Sequence, residues 1–302
     1  MKVRFKLKNK EWIENIKNPF SLLIFLLLII YSISFLTPLL WAFTTSFKSK
    51  HDFILNTMGL PAIWLPENYT TVFRELYITV LRPEGVVKVY TWRLLANAMF
   101  YTIGSTIVNT FSRCFAAYAA ARYSKYLITK LLYPIVIVTM LLPIIGSLPA
   151  ELQMLRAIGV YDNVIGLICM KGGFLGTNFL IFYATFKGIS WEYAESAFID
   201  GASHLRVLIS IMIPLAKASV TALMLLSFIG FWNDWSVNVV YLPNFPMISY
   251  ALYQFQTNTT TSISTVPHKL AASMMVTMPM LFIFIIFRGK IMGNLSLGGL
   301  KG

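Results

Sequence analysis

Residues 18–47 read NPFSLLIFLLLIIYSISFLTPLLWAFTTSF, with no charge between Lys17 and Lys48. A helix needs about 20 mostly apolar residues to cross about 30 Å of hydrocarbon. This stretch is longer than that and apolar on every side, so a helix over 20–43 must be solvated by lipid or covered by protein. The rest of the chain has the same character. Its 302 residues are 57% hydrophobic, 15% aromatic and only 12% charged. A soluble domain carries about 25% charged residues. The composition excludes a disordered chain, a nucleic-acid-binding domain and an ordinary cytosolic enzyme. A net charge of +13 would suggest an anionic partner in a soluble protein. In a membrane protein the placement of Lys and Arg matters more than their sum.

Further charge-poor windows mark the other spans: 94–121, 131–148, 164–186, the stretch after Lys217 to about Val240, and the stretch between Lys269 and Arg288. The fourth window is the weakest, because it holds Lys171 and several glycines. The expected fold is an all-α polytopic membrane protein with about six transmembrane helices. The N-terminal MKVRFKLKNK is basic like the start of a signal peptide. The apolar run after it is too long and no A-x-A-like site follows, so an uncleaved anchor is expected. With the N-terminus inside, most Lys and Arg fall on inner segments, among them Lys2, Arg4, Arg113, Arg122, Lys187, Arg206, Lys217 and Arg288. The outer exceptions cluster in or beside one long loop, and long loops obey the positive-inside rule poorly. Six spans then put both termini in the cytoplasm of a cell-membrane protein.

One inner segment is more informative than the spans. Residues 191–219 read WEYAESAFIDGASHLRVLISIMIPLAKAS. Residues 191–199 favour a helix, and Asp200-Gly201 breaks it, since Gly accepts φ > 0 and Asp suits turns and caps. Ser203 can N-cap a second helix with Leu205, Leu208, Ile209 and Met212 along one side. Pro214 ends or kinks that helix just before the fifth span. From these residues alone, an amphipathic helix lying under the headgroups fits as well as a docking element.

The pattern Glu195-Ser196-Ala197, Asp200-Gly201-Ala202, then Ile211 to Pro214 resembles the E-A-A-x-x-D-G-A…I-x-L-P cytoplasmic loop of binding-protein-dependent ABC import permeases. Ser196 stands where Ala is usual and Ile213 where Leu is usual; both changes keep size or apolarity. LPENYTTVF (65–73) is similar to an outer-loop segment of that family, and FIGFWNDW (228–235) to its fifth span. The ending NLSLGGLKG resembles the tail of the carbohydrate-importing, maltose-type subgroup. The resemblance implies a cytoplasmic N-terminal segment (1–19), a transmembrane permease domain (20–292) and a C-terminal tail (293–302). Within the permease domain it implies outer loops 46–93 and 241–268 and a cytoplasmic coupling loop, 188–217.

The resemblance further implies that Glu195, Ser196, Ala197, Asp200, Gly201, Ala202 and Pro214 form a coupling helix seated in an ATPase groove, with Ala197 and Ala202 small for close packing there. Gly298, Gly299, Lys301 and Gly302 would contact the ATPase dimer. The implied partners are a second homologous permease, two cytoplasmic ATP-binding subunits, an extracytoplasmic substrate-binding protein and membrane lipid, with no nucleic acid. The implied function is sugar or oligosaccharide import by a transport subunit that is not an enzyme. Alternatives are a permease for glycerol-phosphate or polyamine-type solutes, or a stand-alone secondary transporter. Composition agrees on one point. No G-x-x-x-x-G-K-[ST] occurs, so this chain does not cradle ATP phosphates with a P-loop. No cofactor is expected here, ATP and Mg being bound by the partner ATPase. No metal site is expected either, since the histidines, His51, His204 and His268, form no HExxH.

Several other residues carry two readings each. Asp234 is the carboxylate inside a span, which marks function by default, yet it equally suits a brace at the outer end of the fifth span. Trp232, Asn233 and Trp235 beside it suit either a translocation pathway, where aromatic faces stack on sugars, or the interfacial aromatic belt. Tyr253, Gln254, Phe255 and Gln256 mix aromatic faces with amides, as sugar recognition does, or form a polar connector. Arg113 is expected to snorkel toward the inner headgroups. Pro143 is expected to kink the third span. Met274, Met275, Met278 and Met280 read as packing, and Cys114 and Cys169 as buried free thiols in apolar surroundings.

Overall fold

The computed structural model describes residues 19–83, 85–142, 146–257 and 263–295. The chain divides into two compact units, Met1–Val72 with Thr260–Met274 and Phe73–Thr259 with Met275–Gly302. The predicted Pro143 kink and the predicted tail contacts Gly298, Gly299, Lys301 and Gly302 lie outside the described residues.

In the first unit, α1 (Pro19–Thr45) is apolar on all sides and almost wholly exposed along its length. Its 27 residues reach about 40 Å at 1.5 Å per residue, enough to span a bilayer. Its polar side chains stay satisfied inside the helix: Ser32, Ser34 and Thr37 donate to the carbonyls of Leu28, Tyr31 and Ile33. In lipid no water would do this. The segment that follows is tightly organised. Ser49 N-caps α2 (Lys50–Leu55) by accepting from the Asp52 amide at 3.0 Å. Lys48 is fully buried, and its ammonium donates to the carbonyls of Asn56 at 2.5 Å and Thr57 at 3.4 Å. α3 (Glu67–Glu75) begins here. Its Asn68 amide donates to the carbonyls of Ser46 at 2.8 Å and Lys48 at 2.9 Å, and Tyr69 shares a 2.7 Å hydrogen bond with the Ser46 hydroxyl. Burial raises the pKa of the Tyr69 phenol, which keeps its proton at neutral pH.

The second unit opens with an antiparallel hairpin, β1 (Tyr77–Arg82) and β2 (Gly85–Tyr90), in register from Tyr77 opposite Tyr90 to Arg82 opposite Gly85. It is an addition to the all-helical expectation. The central element is α4 (Thr91–Arg122), 32 residues long, or about 48 Å. Around it lie α5 (Leu127–Leu141), α6 (Leu148–Ala157), α7 (Val164–Met170), α8 (Thr177–Gly188), α9 (Glu192–Ile199) and α10 (His204–Val207). A π turn (Leu208–Met212), α11 (Ile213–Leu215), α12 (Lys217–Asn233), α13 (Ser236–Val240), α14 (Ile248–Thr257) and α15 (Val266–Leu295) complete the chain. α4 packs against α5, α7, α8, α12 and α14. That burial explains its mixed composition: Asn97, Thr102, Ser105, Thr106 and Thr110 sit inside the bundle rather than in lipid.

Among the described residues, two helices, Pro19–Thr45 and Val266–Phe287, are long and apolar enough to cross a membrane by themselves. Two further pairs qualify if each bent pair counts as one span: α4 with α5, bent by 117°, and His204–Leu215 with α12, bent by 80°. The span boundaries differ from the sequence expectation in three places. The third helix ends at Leu141, and Leu148 opens a different one. The fourth window, 164–186, is two helices separated at 171–176. The fifth stops at Asn233 and resumes only as the short α13. The segment 241–268, expected as an outer loop, contains the helix α14.

Candidate functional site: a braced hairpin and a broken span

α9 ends in a Schellman turn. Gly201 adopts φ +79°, its amide donates to the Phe198 carbonyl at 3.0 Å, and the Ala202 amide donates to Ala197 at 2.9 Å. This pair of bonds satisfies carbonyls that a helix end otherwise leaves open. Asp200 is the C-cap residue, and Ser203 then N-caps the next helix, accepting from the Arg206 amide at 3.4 Å. The two short helices thus form a hairpin with glycine at the corner. Pro214 lies in the first turn of α11, and the 80° turn into α12 comes at Ala216, two residues later.

The inward side of the hairpin corrects the expected stripe. Val207, Leu208 and Met212 are buried, whereas Leu205 and Ile209 are exposed. Ala194 is buried, and Ala197 and Ala202 pack against the same core as Phe186, Val207 and Met212. The small residues therefore let α9 approach this chain's own bundle. The outward side presents Tyr193, Ile199, Leu205 and Ile209 among the exposed Glu192, Glu195, Asp200 and Arg206. Ile199 is 86% exposed, a large apolar group left in the open. Ser196 is exposed and its hydroxyl donates to the Glu192 carbonyl at 2.9 Å.

What holds the hairpin was not evident in the sequence. Arg122, the last residue of α4, donates to the carbonyl of Phe186 in the last turn of α8 and to that of Ile189, the residue just past its end. Its guanidinium also lies 5.2 Å from the centroid of the Trp191 ring. Tyr123 shares a 2.8 Å hydrogen bond with His204 Nδ1, and Phe198 packs edge-on to the same imidazole at 4.8 Å. Arg122, Tyr123, Trp191, Phe198 and His204 thereby tie both arms of the hairpin to the long central helix. No local signal marks them, because Arg122 meets carbonyls 64 and 67 residues away in the chain.

The second candidate place is the break between α7 and α8. A helix broken within a membrane leaves backbone groups that need partners. Arg113 supplies them: Nε donates to the Leu175 carbonyl at 2.9 Å, and Nη1 to the carbonyls of Lys171 at 3.3 Å and Asn109 at 3.2 Å. Ser112 accepts from the Gly173 amide at 3.2 Å and donates to the Gly173 carbonyl at 3.0 Å. Arg113 is thus a clamp on the break, not a snorkelling side chain as expected. From the break Lys171 sends its ammonium over the ring of Phe231, 5.9 Å from the centroid.

Near this break the predicted residues 232–235 separate. Trp232 is buried and donates to the Val276 carbonyl at 3.1 Å, which makes it a packing anchor between α12 and α15. Asn233 is exposed, its amide turned back to the Ile229 carbonyl. Asp234 is the C-cap residue of α12 and accepts from the Ser236 hydroxyl at 2.5 Å. Trp235 lies flat on Tyr253, with centroids 3.9 Å apart and planes 3° from parallel. That contact joins two groups the sequence treated separately. Of the predicted outer set, Phe255 is buried, Gln254 donates to the Tyr250 hydroxyl at 2.9 Å, and Gln256 is exposed at the end of α14. Tyr241 lies against Glu151; burial and that carboxylate raise its pKa, so its hydroxyl stays protonated. Among the described residues, no His, Cys, Asp and Glu side chains group as a metal site.

A family model described as "Binding-protein-dependent transport system inner membrane component" matches residues 114–292, from the C-terminal end of α4 into α15. The chain belongs to this family. The match contains the braced hairpin, the broken span and the Asp234 region. The permease is similar to the diacetylchitobiose uptake system permease protein NgcG of Streptomyces coelicolor, with 24% identity over 90% of this chain and 86% of the relative. It is also similar to the trehalose transport system permease protein SugB of Mycobacterium tuberculosis, with 26% identity over 88% of this chain and 93% of the relative. Its fold resembles a chain of a bacterial ABC transporter involved in the import of the acidic polysaccharide alginate, with a TM-score of 0.71, 23% identity, and coverage of 89% of this chain and 95% of that one. The permease is therefore a multi-pass inner-membrane transport subunit and not an enzyme. Family membership implies a substrate-binding protein and an ATPase as partners. ATP chemistry belongs to the ATPase, and this subunit carries no cofactor.

Proposed function

We propose that this permease forms half of the translocation pathway of a sugar or oligosaccharide importer. In this reading a second homologous permease supplies the other half, two ATP-binding subunits act from the cytoplasm, and both of its own termini are cytoplasmic. The observation that carries the mechanical part is the hairpin at Gly201, rigidly braced behind and exposed in front. A solvated apolar face such as Tyr193, Ile199, Leu205 and Ile209, ringed by charge, suits a groove in a partner. Glu195 can accept charge-assisted hydrogen bonds from Arg or Lys there. When ATP binding moves the partner, the hairpin passes the displacement through Arg122 and Trp191 to α4, and through the 80° corner at Ala216 to α12. Those helices also carry the Asp234 region and the clamp on the broken span, so motion at the cytoplasmic face reaches the pathway.

Sugar as the substrate class is supported by the relatives, whose names specify diacetylchitobiose and trehalose uptake. It fits the exposed edges of the stacked Trp235 and Tyr253, since aromatic faces and amides recognise sugars together. The domain boundaries 1–19, 20–292 and 293–302, and a tail that meets the ATPase, belong to the same proposal. The test is ATP hydrolysis by the reconstituted complex with its binding protein, measured against trehalose, diacetylchitobiose, glycerol-3-phosphate and spermidine in turn. Stimulation by a sugar alone is expected. Stimulation by glycerol-3-phosphate or spermidine and by no sugar would replace the substrate class.

A further inference from the structure

The turn between α6 and α7 has a backbone conformation that only a few side chains accept. Among the described residues, Asp162 is the one non-glycine residue at positive φ, +59°, a region that Asp and Asn enter more readily than other side chains. The turn is ordered on both sides of it. The Val160 and Tyr161 amides close back on the Leu155 carbonyl at 2.9 and 3.1 Å, and Asn163 N-caps α7 by accepting from the Ile165 and Gly166 amides at 3.1 Å each. Asp162 then grips a segment 82 residues further along the chain. Its backbone amide donates to the Tyr241 carbonyl at 2.9 Å. Its carboxylate accepts from the Asn244 backbone amide at 3.0 Å and from the Asn244 side-chain nitrogen at 2.5 Å.

The gripped segment is itself pinned. Asn238 of α13 donates to the carbonyls of Leu242 at 3.0 Å and Phe245 at 2.7 Å, and accepts from the Met247 amide at 3.2 Å. Asn97 of α4 donates to the Pro246 carbonyl at 2.9 Å. Asn97 and Arg122 sit toward opposite ends of the 32-residue α4, so this clasp lies about 35–40 Å from the hairpin brace at 1.5 Å per residue. Between the clasp and the broken span runs α7, only seven residues long. Arg113 of α4 holds its far end through the Lys171 carbonyl, and Asp162 holds its start.

We propose that Asp162 is a positioning residue for transport, whose carboxylate makes the start of α7 and the α13–α14 segment move as one body. The proposal rests on the coupling reading above. A displacement entering at the hairpin reaches the far end of the bundle by two routes, along α4 to Asn97 and along α12 to α13. Both routes end on the segment that Asp162 holds. Hydrogen bonds to a carboxylate are stronger than neutral ones, and the ties from Asn238 and Asn97 leave the segment little freedom to give way instead. The clasp therefore passes the movement on to α7 and so to the break at 171–176. A load applied at the clasp end returns to the hairpin by the same path.

The test uses the complete transporter, with its partner permease, ATPase and binding protein. Asp162→Gly is the deciding variant. Glycine accepts the positive φ and keeps the backbone bond to Tyr241, so only the carboxylate's bonds are lost. Asp162→Asn is the conservative one, because asparagine suits the same φ and its side-chain oxygen still accepts from the Asn244 amide. Spin labels at the exposed Ile158 and Val239, with the exposed Cys169 replaced by Ser, report the distance across the clasp. One narrow distance, the same with and without ATP and vanadate, is expected in the parent and in Asp162→Asn, and a broadened one in Asp162→Gly. ATP hydrolysis is then measured with binding protein and whichever of trehalose, diacetylchitobiose, glycerol-3-phosphate and spermidine stimulates the parent; where none does, the distances decide alone. Stimulation is expected to fall roughly tenfold in Asp162→Gly, the scale of a lost bond to a charged group, and to persist largely in Asp162→Asn. Asn244→Ala, which removes the 2.5 Å bond from the other side, carries the test if Asp162→Gly does not assemble. A parent distance that changes with ATP and vanadate would mean that the clasp opens during the cycle, and would overturn the proposal. A narrow distance or full stimulation in Asp162→Gly would overturn it too. Loss in Asp162→Gly beside full stimulation in Gly201→Val would fell the hairpin reading and leave the clasp standing, and the reverse pattern would fell the clasp alone.

Discussion

Replacing Gly201 by valine isolates the geometry of the hairpin from its packing. At φ +79° a Cβ built on Gly201 meets nothing within 4 Å. The penalty is therefore conformational rather than steric, about 1–2 kcal/mol for an L-residue held in the left-handed region. An energy of that size changes a two-state ratio by a factor of roughly 5–30. It is small against the stability of the whole bundle but large for one turn. The turn relaxes by giving up the Ala202-to-Ala197 and Gly201-to-Phe198 bonds, which re-aims the exposed face carrying Ile199 and Leu205. The assay is ATP hydrolysis by the reconstituted complex with and without loaded binding protein. Gly201→Val is expected to insert and assemble at normal levels but to lose stimulation. Asparagine tolerates the left-handed region, so Gly201→Asn should retain most of it. Full stimulation with valine would refute the argument that a glycine-set angle transmits the motion, as would equal losses with valine and asparagine.

Three other expectations follow from single contacts. Arg113→Met orphans the carbonyls of Leu175 and Lys171 at about 1–3 kcal/mol for each group, so thermal unfolding in detergent should shift down by several degrees; an unchanged midpoint would mean the break is held by something else. Trp235→Ala and Tyr253→Ala should be coupled by about 0.5–1.5 kcal/mol in a double-mutant cycle on stability, whereas additive losses would show that the 3.9 Å stack carries no energy of its own. For orientation, Cys169, which is exposed rather than buried as the sequence suggests, is first replaced by Ser. A cysteine at Asn56 should then react with an impermeant thiol reagent in intact cells while one at Asn9 should not, and the reverse pattern would invert the topology.

The parts of this fold that were legible in the sequence are those decided by neighbours in the chain. The first span is apolar on every side, so no partner is needed to identify it. Asp200-Gly201 and Ser203 announce a turn and a cap because glycine conformations and capping hydroxyls are local physics. The fourth window shows the limit of that reasoning. Gly172, Gly173 and Gly176 are present, but whether a glycine-rich apolar run breaks depends on a clamp such as Arg113, whose carbonyl partners at 171 and 175 lie 58 and 62 residues along the chain. Arg122 is hidden for the same reason. Leu205 and Ile209 misled because a helical stripe shows which residues share a side, not which side faces the core. The segment 241–268 reads as a loop from its Thr, Asn and Gln, although within it α14 buries Ile248, Ser249, Ala251 and Phe255. The β-hairpin did leave a local trace, Pro83-Glu84-Gly85 between the β-rich runs YITVLR and GVVKVY, and a turn reading of that tripeptide would have found it.

The central claim is that the hairpin around Gly201 is where a separate ATPase drives this permease. The most direct measurement places a photo-crosslinking residue at Ile199, which is 86% exposed at the tip of α9, and a control at Trp232, which is buried. After irradiation of the assembled transporter, the Ile199 probe should capture the ATP-binding subunit in high yield, with the yield changing when ATP is added, while the Trp232 probe should not capture it. Failure of the Ile199 probe to reach the ATPase in a complex that hydrolyses ATP and imports its sugar would contradict the account.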